Sequence, residues 1–133
     1  MVKEKYISRI KETSINVSQT EIDSIRHKDI EKTGLRVYEN GCIGYAGAIG
    51  NYDEAELEKR AKDSLKNNIS YPYELEENTK KHEDLSTEII KDDELVAEFE
   101  ELLSTLRSEQ PNFYFSHKLN LAEYEYKIFN EKK

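Results

Sequence analysis

The dipeptide Asn40-Gly41 lies between two segments in which apolar and polar residues alternate. Both residues tolerate positive φ, which a tight type I′ hairpin turn requires. Before the turn, Leu35 and Val37 share one face, and residues 42–46 alternate again after it. The sequence therefore predicts two antiparallel strands joined by a tight turn, and the rest of the chain has to pack around this pair.

One side of the second strand is nearly bare because small residues follow one another there. They are Gly44, Ala46, Gly47, Ala48 and Gly50. Small side chains allow a helix or another backbone to approach closely. A helix is predicted next, from Asp53 to Lys66, with Asn51 or Asp53 as its N-cap and Leu57, Ala61 and Leu65 as a narrow apolar stripe. We expect Asn67-Asn68 to end this helix, which should lie on the bare side.

A second helix is predicted from the segment DDELVAEFEELLSTLRSEQ, with Asp92 or Asp93 as its cap. Its apolar stripe is the clearest in the chain and consists of Leu95, Val96, Phe99, Leu102, Leu103 and Leu106. Between the two helices, residues 70–73 are expected to be extended because Pro72 disfavours helix before it. Residues 74–91 are expected to be a polar loop with a short strand at 86–90.

The remaining segments favour strands to different degrees. Residues 14–18 alternate as a strand does, whereas residues 1–12 fit either a short helix or a frayed start. Residues 19–32 favour a strand interrupted near 27–29, although the Ser18-x-x-Glu21 spacing is also that of a helix capping box. Two further strands are predicted at 113–121 and 123–129, with a turn near 120–122.

These elements together predict an α+β fold. The sheet is mainly antiparallel, and two main helices pack on one of its faces. The 133 residues suit a single domain spanning 1–133. Because 36% of the residues are hydrophobic and 36% are charged, we expect a thin core and a wide solvated surface.

The net charge of −8 disfavours a direct nucleic-acid partner, because phosphate binding depends on Lys and Arg. Residues 74–101 hold twelve acidic residues against three lysines, a net charge of −9. This acidic window is interpreted as a solvated surface, with a docking site for a basic partner as the alternative. A single cysteine, no signal-peptide pattern and no long apolar run predict a cytoplasmic protein without membrane attachment.

No catalytic, cofactor-binding or metal-binding residue is predicted. His27, His82 and His117 have no His or Cys three or four residues further on, so they are interpreted as surface or edge residues. Cys42 has no identifiable base and is interpreted as a half-buried structural thiol. The pairs Asp92-Asp93 and Glu100-Glu101 are explained by helix capping and solvation.

Two further patterns suggest ligands only superficially. The stretch GCIGYAGAIG lacks both G-x-G-x-x-G and G-K-[ST], so its glycines are assigned to turns and close packing rather than to a phosphate loop. The Tyr and Phe residues of the last strands could stack on bases. Because the surrounding charge is acidic or mixed, a core or edge position is favoured for them.

The stretch GLRVYENGCIGYAGAIGNYDEAELEKRAKDSL resembles the start of the TldD/PmbA family, zinc metallopeptidases also named modulators of DNA gyrase. The matching parts are Gly34-Leu35-Arg36-Val37, Asn40-Gly41, Ile43-Gly44-Tyr45-Ala46 and the helix from Asp53 to Leu65. The resemblance is strong over 33–67 and extends more weakly over 14–130. The segment before Gly34 is shorter than is usual in the family.

The resemblance implies a non-catalytic N-terminal domain of a TldD/PmbA-like protease. The family's HExxxH metal motif lies beyond this domain and is absent here, so zinc is expected only in the full-length family and no catalytic residue is carried over. The implied roles are shaping peptide access and joining a homo- or hetero-dimer, with the catalytic domain in the same or a related polypeptide. Whether the chain takes part in an enzyme is therefore left open.

Two other functions remain as alternatives. One is a stand-alone acidic protein-interaction module without protease activity. The other is a small enzyme that uses Cys42 or a histidine, which the lack of an identifiable catalytic partner disfavours.

Overall fold

The computed structural model of the protein describes residues 1–75, 81–87 and 90–131, and these form an α+β fold, as predicted. Five strands make one antiparallel sheet in the order β4-β3-β2-β1-β5. The strands are β1 (Val2–Ser18), β2 (Glu21–Glu39), β3 (Cys42–Ile49), β4 (Ile69–Ser70) and β5 (His117–Asn130). The helices are α1 (Glu54–Ser64) and α2 (Asp92–Glu109).

The chain divides into two compact units, each with its own helix and core. The first unit comprises Met1–Ile10, Ile30–His82 and Tyr124–Lys133, and the second comprises Lys11–Asp29 and Glu83–Glu123. Strands β1, β2 and β5 therefore contribute residues to both units. The assignment of 1–133 to a single domain stays a prediction.

In the first unit, α1 packs on β2 and β3. Its buried core consists of Leu35, Val37, Ala46, Leu57 and Ala61. Gly44 lies opposite Val37 in the register, and a Cβ at Gly44 would be 2.2 Å from the carbonyl oxygen of Ala61. Since only glycine fits at that distance, the predicted close seating of α1 on the bare side of β3 is confirmed at Gly44.

The local signals around α1 are also confirmed. Asn40 and Gly41 have φ values of 50° and 72°, as a type I′ turn needs. The Asp53 carboxylate accepts a hydrogen bond of 2.8 Å from the Glu56 N–H and so caps the helix. After a 3₁₀ turn at Leu65–Asn67, Asn68 adopts the left-handed conformation with φ of 51° and ends the helical segment.

In the second unit, α2 packs through Leu103 against Ile15 and Val17 of β1. Around this centre lie partly buried side chains from α2, β2 and β5, namely Leu95, Val96, Phe99, Leu106, Ile22 and Leu119. Leu102, which the sequence placed in the apolar stripe, is instead 51% exposed. The predicted stripe is otherwise confirmed.

The prediction that Asp92 or Asp93 caps α2 is wrong. The helix begins at Asp92, Lys91 occupies the N-cap position, and no side chain makes the capping bond. The Asp93 carboxylate accepts only from the N–H of the next residue, Glu94, at 3.0 Å. Three acidic residues in the first turn still favour the helix, because they lie at the positive end of its dipole.

Several strand boundaries differ from the predictions. Residues 2–12 belong to β1 and are neither a helix nor a frayed start, because Lys3 and Lys5 pair with glutamates of α1 instead of pointing into water. β2 runs without interruption through 27–29, which resolves 19–32 as a turn followed by strand. β5 is one continuous strand, so the predicted turn near 120–122 is wrong.

The structure also bears on the aromatic and loop segments. Residues 113–116 precede β5 and are not strand. Of the strand predicted at 86–90, residues 88–89 lie outside the described residues, and Ser86 and Thr87 are not in a strand. The aromatic residues of the last two predicted strands were expected in the core or at an edge, and those that lie in β5 are at the sheet edge, since β5 is the last strand in the order.

A second tight turn, at Gln19-Thr20, joins β1 to β2 without any glycine. Its residues have φ values of 51° and 61°, a rare conformation for a β-branched residue such as Thr20. Thr20 is only 2% exposed, and three hydrogen bonds hold it. Its N–H donates to the Phe115 carbonyl at 2.8 Å, its hydroxyl accepts from the Phe115 N–H at 2.9 Å, and its carbonyl accepts from the Arg107 guanidinium at 2.7 Å. Tertiary contacts therefore fix this turn, not local sequence preference.

Thr20→Val is expected to destabilise the protein by about 1–3 kcal/mol, because it removes the acceptor of the Phe115 N–H and leaves that donor unsatisfied. Thr33→Val is the matched control. The Thr33 hydroxyl is buried, and within the described residues it has no hydrogen-bond partner. That substitution should be neutral or slightly stabilising. Urea denaturation of both variants checks the difference, and equal losses would contradict it.

Candidate functional site

The face of β2 and β3 that points away from α1 carries the candidate site of the first unit. The register places Arg36 opposite Tyr45 and Gly34 opposite Gly47 on this face, since Leu35 and Val37 alternate with them and point towards the helix. We call it the tyrosine face. It is a shallow depression of about 660 Å³, and the side chains that line it include Tyr6, Ser8, Lys32, Arg36, Tyr45 and Ile49.

The Tyr45 ring lies over two glycines of the tyrosine face. A Cβ at Gly34 would be 3.3 Å from the ring, and one at Gly47 would be 3.2 Å from its hydroxyl oxygen. The missing side chain of Gly47 therefore makes room for Tyr45 and not for α1, which corrects the prediction that grouped it with Gly44. Its backbone carbonyl still accepts a hydrogen bond of 3.1 Å from Arg60 of α1. The ring stays 58% exposed although the sheet supports it.

A guanidinium is held at the edge of this depression. Arg36 donates to a carboxylate oxygen of Glu4 at 3.2 Å, and the Tyr38 hydroxyl donates to the same oxygen at 3.2 Å. The hydrogen bond with Tyr38, with a further contribution from Glu4, raises the pKa of Arg36. Burial raises the pKa of Tyr38. The tyrosine face thus combines exposed rings with an oriented, permanently charged donor, a combination that suits apolar side chains and carboxylates.

On the other face, two ion pairs connect β1 to α1. Lys3 contacts Glu58 at 2.8 Å, and Lys5 contacts Glu54 at 2.5 Å. Glu58 also pairs with Lys62 of its own helix at 2.5 Å. The hydrogen bond from Lys3, then that from Lys62, lowers the pKa of Glu58 to about 2. The hydrogen bonds to Glu58 and Glu54 raise the pKa values of Lys3 and Lys5 respectively.

Glu58→Gln is expected to lower stability at neutral pH and to have little effect in strong acid. The folded pKa of Glu58 is depressed to about 2, so its contribution is present above the unfolded value of 4.5 and is lost as the pH falls from there towards 2. Urea denaturation at pH 7 and at pH 2 measures the difference between wild type and variant. A difference that stays constant between these two pH values would contradict the assignment.

The histidines and the cysteine lie where the sequence predicted them, exposed or half-buried. His27, His82 and His117 are exposed, and Cys42 is half-buried at the start of β3. The Nδ1 atom of His27 lies 3.1 Å from the Thr13 hydroxyl and 3.3 Å from an Asp92 carboxylate oxygen. Glu100 is exposed and pairs with Arg107 at 2.8 Å.

Zinc needs three or four convergent nitrogen, sulfur or oxygen ligands. Within residues 1–75, 81–87 and 90–131, no group of three or more His, Cys, Asp and Glu side chains is placed to hold a metal ion. The described residues therefore do not fit zinc. In the same part of the chain, no helix has the length and apolar character needed to span a membrane.

The tyrosine face was not identified from the sequence. Alternation predicted that residues 34–37 and 43–46 each have two faces. The small residue at Gly44 indicated which face of β3 the helix covers. The β1 side chains that lie with Tyr45 on the opposite face, Tyr6 and Ser8, depend on the strand order, for which periodicity carries no signal. Gly34 and Gly47 are a local sequence signal for the site, because the lack of a side chain at these positions makes room for the Tyr45 ring.

The fold is shared with two larger proteins of known structure. TldE from Thermococcus kodakarensis matches with a TM-score of 0.77 and 18% sequence identity, over 98% of this chain and 31% of that protein. A Thermotoga maritima protein described as a modulator of a DNA gyrase matches with a TM-score of 0.75 and 11% identity, over 98% and 31%. The chain thus spans about a third of the length of each.

A search of curated protein sequences found no match to the chain. The family comparison is positive: the model described as PmbA/TldA metallopeptidase domain 1 matches residues 5–67. These residues contain the turn at 40–41, the close contact at Gly44 and the whole of α1. Residues 5–67, slightly less than half of the chain, therefore resemble the N-terminal domain of the TldD/PmbA family.

Proposed function

We propose that this chain acts as a non-catalytic N-terminal domain of a TldD/PmbA-like zinc-dependent protease, in which it shapes peptide access and takes part in dimer assembly. The match of the family's first domain to residues 5–67 carries this proposal. It is supported by the fold, because almost the whole chain is similar to about a third of two larger proteins. In this proposal the catalytic residues and the zinc belong to another domain of the same or a related polypeptide.

The tyrosine face is the surface we assign to peptide access. An extended peptide can place apolar side chains on the exposed rings of Tyr6 and Tyr45, which offer large contact area at low cost in side-chain entropy. Arg36 is oriented by Glu4 and Tyr38 and can donate to a peptide carboxylate or carbonyl. The face would therefore guide a peptide towards the catalytic domain without taking part in bond cleavage.

We propose that the protein is located in the cytoplasm, because a free cysteine without a disulfide is typical of a reducing compartment. We propose neither nucleic acid as a direct partner nor attachment to a membrane.

A stand-alone acidic interaction module is the second candidate. The acidic side chains of the first turn of α2, Asp92, Asp93 and Glu94, are all exposed and could face a basic partner. Electrostatic attraction between an acidic surface and a basic partner weakens steeply as the ionic strength rises. Assembly with a catalytic domain through apolar surface would not weaken in this way.

The native state of the protein in its source cells separates the two functions. An antibody against the chain should recover either a polypeptide much larger than 15.6 kDa or a complex, and mass spectrometry should find an HExxxH sequence in it. The recovery should persist in 0.5 M salt. A 15.6 kDa species without any HExxxH protein would contradict the protease role and support the interaction module.

A further inference from the structure

Strand β5 is exposed along most of its length. It is the last strand of the sheet order, and within the first unit its apolar side chains are open to solvent on both faces. The exposed fractions are 55% for Tyr124, 60% for Tyr126, 65% for Ile128 and 56% for Phe129. A long apolar edge strand offers unpaired backbone groups and apolar area together, so it is a template for pairing with another strand.

The direction of the backbone groups follows from one hydrogen bond. The Glu131 N–H donates to the Lys3 carbonyl of β1 at 3.0 Å. In an antiparallel ladder, alternate residues direct both N–H and C=O to the same neighbour. Odd-numbered residues of this end of β5 therefore face β1, and Tyr124, Tyr126 and Ile128 direct their N–H and C=O groups towards the open edge.

We propose that β5 pairs antiparallel with β5 of a second copy of this chain, with Tyr126 opposite Tyr126 of the second copy. This register is the one in which the outward backbone groups of both copies meet. It sets Glu125 of each copy opposite Lys127 of the other copy. Two ion pairs of opposite charge therefore form, one on each side of the two-fold axis. It also sets Tyr124 opposite Ile128, an aromatic pair with a β-branched residue, which is favourable across strands.

Contacts within one copy hold the side chains of this surface in positions that suit the pairing. Glu125 and Lys127 lie 2.7 Å apart along the same side of the strand, so both are placed to exchange partners across the axis. Tyr126 stacks on Tyr6 with ring centroids 6.2 Å apart, and on Tyr124 at 6.4 Å. Pairing would continue this row of rings into the second copy and remove its exposed edges from water. The result is an isologous contact, as a two-fold dimer requires.

This inference rests on the proposed function, because it specifies the contact through which the proposed dimer assembles. It names the second copy as the partner and β5 as the contact. The identification of an HExxxH protein by mass spectrometry does not depend on β5 self-pairing, so the two proposals fail independently.

Charge exchange at two positions tests the pairing on the full chain. Lys127→Glu places like charges opposite each other twice, and Glu125→Lys does the same with the other sign. Each single variant should dimerise about tenfold more weakly than wild type in sedimentation equilibrium at low salt. An equimolar mixture of the two single variants should dimerise as well as wild type, because every 125–127 pair then joins opposite charges.

Circular dichroism confirms that each variant folds, and hydrogen exchange locates the contact. The amides of Tyr124, Tyr126 and Ile128 should become protected as the protein concentration rises, whereas the amide of Tyr45 on β3 should not change. A chain that stays monomeric at millimolar concentration would overturn the proposal. So would a dimer that neither single charge variant weakens, or two weakened variants that mixing does not restore.

Discussion

Gly44→Ala is expected to destabilise the protein by about 3 kcal/mol, the largest effect of any single methyl group added to β3. The new Cβ would be 2.2 Å from the Ala61 carbonyl oxygen, 2.9 Å from Leu65 and 3.0 Å from Val37. The first of these contacts is with helix backbone, which cannot rotate away as a side chain can. The whole of α1 would have to move off β3, and the core residues Leu57 and Ala61 would move with it.

Gly47→Ala is the matched control for this prediction. It lies on the same strand, but its Cβ would meet the Tyr45 hydroxyl at 3.2 Å, the far end of an exposed side chain that can shift. Its loss should stay below about 1 kcal/mol. Urea denaturation gives both free energies of unfolding. Similar losses for the two variants would mean that α1 is not seated on Gly44.

Leu103→Ala is expected to cost about 2–5 kcal/mol, because it opens a cavity at the centre of the second unit. Leu103 is 0% exposed and packs against Ile15 and Val17. Leu102→Ala is the control, since the neighbouring side chain is 51% exposed and its loss should change stability by no more than about 0.5 kcal/mol.

Thermal or urea unfolding followed by circular dichroism measures both leucine variants. Hydrogen exchange adds the position of the effect, which should be largest in α2 and the strand segments that contact it. Equal destabilisation by the two substitutions would show that α2 packs with a different face from the one described.

The hairpin and α1 could be predicted because their signals are local. Asn40-Gly41 specifies its turn through backbone conformation alone, and Asp53 caps the helix that starts one residue later. The small residue at Gly44 indicated a close approach before the partner was known. For this turn and this helix, the predicted and observed elements agree.

The turn at Gln19-Thr20 could not be predicted for the opposite reason. Neither residue favours positive φ, and the turn is held by Phe115 and Arg107, which are nearly a hundred residues away in the sequence. The first residues of β1 were missed in a similar way. In the sequence, the lysines of this segment are typical of a solvated chain end. Their ion-pair partners, Glu54 and Glu58, lie on α1 and are far away in the sequence.

The tyrosine face and the β5 edge depend on topology. Alternation identified the strands that carry Tyr45 and Tyr126, but only the strand order and the position of α1 decide which side chains remain exposed. The resemblance to the TldD/PmbA family implied no site residue, because the HExxxH motif that carries the family's metal site is absent from this sequence.

Peptide hydrolysis by the native assembly tests the central claim most directly. The assembly recovered through this chain should cleave unstructured peptides and lose that activity in a zinc chelator, while the purified 133-residue chain should show no hydrolysis with or without zinc. Cleavage by the purified chain would contradict its assignment as a non-catalytic domain. A recovered assembly without peptidase activity would contradict its place in a protease.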